Sequence, residues 1–453
     1  MRLLFLLPLL ALMACAPSHS SHDRASPRAH TYTGPMPQMK HFGPAHVSPP
    51  SRSNSEIAQD FLDLTFQMET GETLPFMTRF DGPVSVRING AAPATLSTDL
   101  DALLVRLRNE AGIDIRRTAA DKQANISINT VPVRQFKHMR PTAACFVVPG
   151  VSGWGDFRRL RRSSVTNWKT LRKRTRMAIF IPDNVSPQEM RDCLHEELAQ
   201  ALGPLNDLFR LPDSIFNDDN YHSILTGFDM LVLRAYYAPE LHNGTTRQQA
   251  AAALPRILAR LNPAGEFATG HAPVSATPES WENAIRQTIN PAKSHTARRA
   301  AAMRAVTIAR NHGWADVRTG FSLHKLGRLT LARDAGLARS AFREALTIFR
   351  GRPEMRLQAA QITMQLAAIS LSDGDAQIAI NQANSSLPAL LQAQDAVTLS
   401  MVLMIKAEAL DLQNHTTEAR EVRLDSLGWA RYAFGSKKAA LDRLAGISAL
   451  TPK

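Results

Sequence analysis

The stretch Cys193-Leu194-His195-Glu196-Glu197-Leu198-Ala199-Gln200-Ala201-Leu202-Gly203-Pro204-Leu205-Asn206-Asp207 sets acidic and amide side chains into an otherwise apolar helical pattern. Ser186 suits the N-cap, Pro187 the first helical position and Gly203 the stop, so a helix is expected over 187–202. On that helix Glu196 and Gln200 stand four residues apart and share a face. His195 lies about 100° around the helix from Glu196 and does not share that face easily.

Working outward, residues 84–88 alternate apolar and polar, as a half-buried strand does. Residues 98–112 carry Leu100, Leu103, Leu104 and Leu107 on one helix face, with Ser97 as N-cap and Gly112 as stop. Further strands are expected at 113–115, 124–131, 144–148 and 178–181. The order is strand, helix, several strands, then the helix of Glu196.

Zinc peptidases of the zincin type place two His four apart on a helix, with a Glu after the first as general base. If His195 is the first ligand and Glu196 the base, the second ligand falls on Ala199, which binds nothing. In a second frame Glu196 and Gln200 take the two ligand positions and Glu197 the base. Gly203 then falls on the turn glycine of the metzincin pattern, and Asn206 on its third ligand. The element order above resembles that clan as well. Asp213-Ser214-Ile215-Phe216 stands where the clan has a tight turn carrying Met, with Phe216 in its place. Residues 225–229 and 233–237 resemble its closing helix.

With Cys145 and Cys193, this segment resembles a proteobacterial family known as domain of unknown function 2927, over roughly 55–241. The most specific part is Glu196-Glu197-x-x-Gln200-x-x-Gly203-x-x-Asn206-Asp207. The resemblance implies a zincin-like mixed sheet with helices and brings no activity with it. Zinc sites are built from imidazole, thiolate and some carboxylate, whereas these positions offer one carboxylate and two amides. No cofactor is assigned; a divalent metal ion is the one candidate, and an all-oxygen set with help from Asp207, Asp213, Asp218 or Asp219 suits calcium or magnesium better than zinc.

At the chain start, Met1 and Arg2 precede an apolar run and then Leu12-Met13-Ala14-Cys15. A short positive region, an apolar core and a small residue at the cut make a secretion signal. The last four residues resemble a lipobox, which implies a lipid-anchored Cys15. Ala16, in place of Asp, points to the outer membrane, facing the periplasm. In that oxidising compartment the two remaining cysteines, Cys145 and Cys193, are expected to pair; two buried thiols are the alternative.

The expected organisation is a signal peptide over 1–14, a disordered tether over 15–55, an α+β zincin-like domain over 56–264, a linker over 265–293 and an all-α domain over 294–453. The last is rich in Ala, Leu, Arg and Gln and shows a period of about forty residues. Leu326-Gly327, Leu366-Ala367 and Lys406-Ala407 are equivalent, as are Ala338, Ala379 and Ala419, then Phe342, Ala383 and Arg423. This pattern resembles tetratricopeptide-type repeats and implies a protein-binding surface; a plain helical bundle is the alternative.

The net charge of +13 favours anionic partners. The basic stretch holds Arg158, Arg159, Arg161, Arg162, Lys169, Arg172, Lys173, Arg174 and Arg176, opposed only by Asp156 and interleaved with Trp154, Phe157 and Trp168. For an envelope protein, anionic lipid or lipopolysaccharide phosphates fit it better than nucleic acid, which is not an expected partner; a solvated loop is the alternative. The leading expectation is therefore a non-catalytic envelope lipoprotein with a degenerate peptidase-like domain and a protein-binding helical domain. Its rivals are an atypical metal-dependent hydrolase using Glu197, and an adaptor acting through the basic stretch.

Overall fold

A computed structural model of the chain describes residues 32–90, 92–119, 121–268 and 276–452. Cys15 and the apolar run before it lie outside the described residues. Among those described, no helix is long and apolar enough to cross a membrane.

The first body is α+β. Helix α1 (Asn54–Phe66) leads into β1 (Val84–Asn89), α2 (Ala94–Ala111), β2 (Ile115–Arg117), β3 (Ile126–Val131), α3 (Val133–Met139), β4 (Phe146–Pro149), α4 (Trp154–Leu160), β5 (Met177–Pro182) and α5 (Pro187–Leu202). Helices α6 (Gly227–Tyr236) and α7 (Arg247–Leu261) follow. The strands form one sheet in the order β2-β1-β3-β5-β4. All neighbours are parallel except β4, which runs antiparallel to β5 at the edge. β5 reads Met-Ala-Ile-Phe-Ile-Pro and is buried throughout, the composition of a strand covered on both faces. Its Met177, Ile179 and Ile181 join the main core with α2 and α5. Ala178 and Phe180 point the other way, into a small aromatic core under α3 and α4.

α5 and four of the strands overlap their expected positions closely, while β2 forms at Ile115–Arg117 and shares only Ile115 with the strand expected at 113–115. α2 begins one turn earlier than expected, behind Pro93, which offers no side-chain cap. Ser97 instead accepts a hydrogen bond from Arg117. Gly112 does end the helix, at φ 69°, a conformation glycine adopts without the steric cost of a Cβ.

The second body is all-α. It runs through α8 (Glu279–Ile289), α9 (His295–Asn311), α10 (Val317–Thr330), α11 (Ala335–Arg350), α12 (Arg356–Asp373), α13 (Ala376–Ala393), α14 (Ala396–Leu412), α15 (Thr416–Phe434) and α16 (Lys437–Ser448), each packed on its sequence neighbour. α8 lies inside the expected linker; its Trp281 is fully buried and donates to Ser322 at 3.0 Å, which ties it to α10. Gly320 and Gly327 let α10 and α11 approach: a Cβ there would lie 2.3 Å from the Phe349 ring and 2.5 Å from that of Phe342. Arg423, at a position where a packing aromatic was expected, pairs with Glu408 and Asp411 instead.

The expected tether also differs from residue 32 onward. Phe42 stacks on Trp429 with ring centroids 4.4 Å apart, and the Lys40 amide donates to the Gly428 carbonyl at 3.1 Å. Arg431 donates to the Pro37 carbonyl at 2.7 Å and Gln394 to that of Gly43 at 2.9 Å. The segment is poor in large apolar groups, yet Tyr32, Met36, Met39 and Phe42 all pack against the core of the helical body, with Phe42 set between Trp429 and Tyr432. The two bodies are joined directly as well. Tyr432 donates to Asp99 at 2.8 Å, the Ala396 amide to Gln188 at 3.1 Å, and Gln358 to the Pro212 carbonyl at 2.6 Å.

Candidate functional site

Helix α5 carries the site, and its ends are chemically fixed. Ser186 accepts from the Glu189 amide while Glu189 reaches back to the Ser186 amide at 2.8 Å, a capping box. At the other end, Arg174 donates from Nη1 to the Gln200 carbonyl at 2.6 Å and from Nη2 to that of Gly203. Tyr237 donates to the Leu202 carbonyl at 3.0 Å. A cation and a hydroxyl thus satisfy carbonyls that a helix terminus leaves open.

A disulfide joins Cys145, just before β4, to Cys193 on α5, with Cα atoms 5.9 Å apart. One turn further along α5, Glu197 lies close enough to the Val147 backbone for that amide to steady its charge. The linkage therefore sets the edge strand against the face of α5 that bears Glu197.

Glu196 looks toward Glu69, which follows α1, and toward Asp218 in the loop beyond α5. Asp207 also faces Glu196, and shares a hydrogen bond with Glu69. Gln200 donates to Glu69 at 3.5 Å. Burial, then repulsion by Glu69 and Asp218, pushes Glu196 up to about 8. Burial followed by the charges of Glu196 and Glu69 holds both Glu197 and Asp207 well above the usual carboxylate range. Glu197 is only 4% exposed, and among the described residues its Oε2 has no hydrogen-bond partner. At the mouth, Arg286 of α8 acts on Asp218, so the helical body borders the site.

Of the three expected ligand positions, the structure gathers Glu196 and Gln200 around Glu69. Asn206 goes elsewhere: its Nδ2 donates to the Asp63 carbonyl at 3.0 Å, tying the loop after α5 to α1. Its neighbour Asp207 takes the inward place. Asp213 pairs with Arg52 at 2.9 Å, and Asp219 accepts from the Tyr221 amide at 3.0 Å, so both serve the turn. His195 is buried, and its Nδ1 accepts from the Leu225 amide at 3.1 Å. Burial, with Arg191 and Arg106 adding repulsion, keeps the ring neutral. Phe216 is fully buried core. Glu69 has no signal in the sequence, because it lies in an irregular turn more than a hundred residues from α5.

The donor set does not fit a zinc ion. It offers carboxylates and an amide but no imidazole or thiolate. Among the described residues, no three His, Cys, Asp or Glu side chains are grouped to hold a metal.

The basic stretch divides in two. Lys169 pairs with Glu72 at 3.1 Å, Lys173 with Asp81 at 2.9 Å, and the Arg172 guanidinium stacks 4.6 Å from the Phe76 ring. Arg176 donates to the Gly150 carbonyl at 3.0 Å. Arg174 is 1% exposed beneath α5, which corrects its expected place on an anion-binding surface: the open carbonyls of α5 hold it inside. Arg158, Arg161 and Arg162 remain exposed at α4, beside Arg159, which pairs with Asp156. Phe157 and Trp154 turn into the aromatic core.

Residues 54–256 match a family described as a protein of unknown function, DUF2927. The match spans all elements that build the site, from α1 to most of α7, and leaves the helical body outside. No curated protein matches the chain, and no solved structure does.

Proposed function

From a domain of the DUF2927 type joined to a helical body, we propose an envelope lipoprotein anchored at Cys15, in which a peptidase-like domain without its metal-binding side chains works as a binding module. The observation that carries this reading is the donor set on α5. Glu196 and Gln200 replace paired imidazoles, and the one histidine of the helix, His195, is neutral and committed to the Leu225 amide. The element order supports kinship with zincins: strand, helix, strands, an antiparallel edge strand, then the motif helix packed on that strand. The helical body is the partner-binding part in this reading, because its stacked helices resemble a repeat scaffold.

Metal content of the purified soluble chain tests the core of it. Zinc well below one equivalent is expected, by elemental mass spectrometry. A stoichiometric metal that disappears in Glu196→Ala would overturn the proposal. One observation favours a hydrolase instead, namely the unpartnered Oε2 of Glu197. That rival requires a measurable peptide hydrolysis that Glu197→Gln abolishes.

The anchor has its own test. Cells fed labelled palmitate should label the wild-type chain and not Cys15→Ser. Equal labelling of both would remove the anchor from the proposal.

A further inference from the structure

We propose that the face formed by α3, α4 and the turn at 163–167 docks onto a membrane surface rich in phosphate head groups. This deepens the envelope reading and rests on it for the presence of such a membrane.

Two short helices on either side of β4 build the face. α3 exposes Arg134, Lys137 and Arg140; α4 and the residues after it expose Arg158, Arg161 and Arg162. One aromatic core holds them side by side. Phe136 of α3 stacks with Trp154 of α4 at 6.3 Å between centroids, and both meet Phe146. The Arg140 guanidinium sits 5.2 Å from the Phe146 ring. Phe136 and Phe157 beneath are 0% and 2% exposed, so the cations stand on a closed platform and not around a slot. Lys137 donates to the Ala143 carbonyl at 2.8 Å, which steadies the α3 side.

Little negative charge opposes them. Asp156 is taken by Arg159, and Asp183 accepts from the Val133 amide at 3.1 Å. Among the described residues Arg158, Arg161 and Arg162 form no ion pair. Amid these charges Val165 is 42% exposed. Its backbone is pressed on Gly150, where a Cβ would come within 2.3 Å of the Val165 carbonyl oxygen. Cations spread over a firm, slotless face with one apolar tip suit the dispersed negative charge and shallow apolar layer of a bilayer surface. A protein partner is anchored chiefly by side chains seated in pockets, whereas the buried Phe136 and Phe157 close the floor beneath these cations.

The test uses the chain from residue 16 on, which keeps every described residue and cannot be lipidated. It is mixed with vesicles of phosphatidylcholine alone or with about one third phosphatidylglycerol, and binding is read by sedimentation at low and high salt. Binding to the anionic vesicles should be at least about tenfold tighter and should weaken with salt. Arg161→Glu with Arg162→Glu should remove about tenfold of that affinity. Arg343→Glu with Arg350→Glu, the same charge change on the exposed side of α11, should change it by less than about twofold. Equal affinity for both vesicles, or equal losses in the two variants, overturns the proposal. Because no lipid is attached in this assay, a negative result leaves the palmitate test standing, and an unlabelled Cys15 leaves this one standing.

Discussion

Glu196→Gln should stabilise the protein by about 4 kcal/mol at pH 7.5, and should do almost nothing for it at pH 4.5. In the unfolded chain Glu196 loses its proton near the ordinary glutamate value. In the folded protein burial and the nearby carboxylates Glu69 and Asp218 delay that loss to about 8. Between those two values the folded state binds more protons than the unfolded state. Stability therefore falls as pH rises through the window, and the whole penalty is present above it. Glutamine keeps the shape and cannot ionise, so it removes the penalty at high pH and has none to remove at low pH. Glu197 and Asp207 are shifted the same way, and the parent itself should lose stability from pH 5 to pH 8. Urea unfolding of parent and variant at the two ends of that range checks this. A gain of equal size at both would mean that packing, not charge, is responsible.

Arg174→Ala should cost about 3–5 kcal/mol, the largest loss expected from any one change in the basic stretch. The side chain is buried, and two of its nitrogens satisfy the Gln200 and Gly203 carbonyls. Its third, Nε, donates to Thr78 at 3.3 Å. Alanine leaves buried acceptors without donors at the end of the helix that carries the site. Lysine should not rescue it, because one ammonium cannot reproduce a planar fork aimed at two carbonyls. The urea midpoint decides the matter: a loss under about 1 kcal/mol would remove Arg174 from this role. The contrast with Arg161 and Arg162, whose replacement should leave stability nearly unchanged, separates two meanings of arginine within one short run of sequence.

That run also shows where reading from sequence stops. The ends of α5 were legible because caps are local: Ser186, Pro187 and Gly203 act within a turn of the helix they bound. The Cys145–Cys193 disulfide was legible because the chain offers few cysteines to choose from. Nothing local distinguishes Arg174 from Arg172 or Arg176. What distinguishes it is the terminus of α5, which meets it only in three dimensions. Asn206 fits a ligand spacing by count, but the loop leaves helical geometry at Gly203, so Asp207 turns inward and Asn206 toward α1. α8 was hidden by its polar, proline-flanked surroundings, and Trp281 was the sign that part of the stretch is packed. The fold class was thus readable from patterning, and the site only as far as one helix carries it.

The seating of Phe42 against Trp429 has a bearing on geography. Even fully stretched, the chain between Cys15 and Tyr32 spans at most about 60 Å. With a lipid on Cys15, the helical body is leashed by its α15 side within that radius of the leaflet. A ligand gripped by those helices would then be held at the bilayer's doorstep, and could not be ferried across the full width of the space beyond.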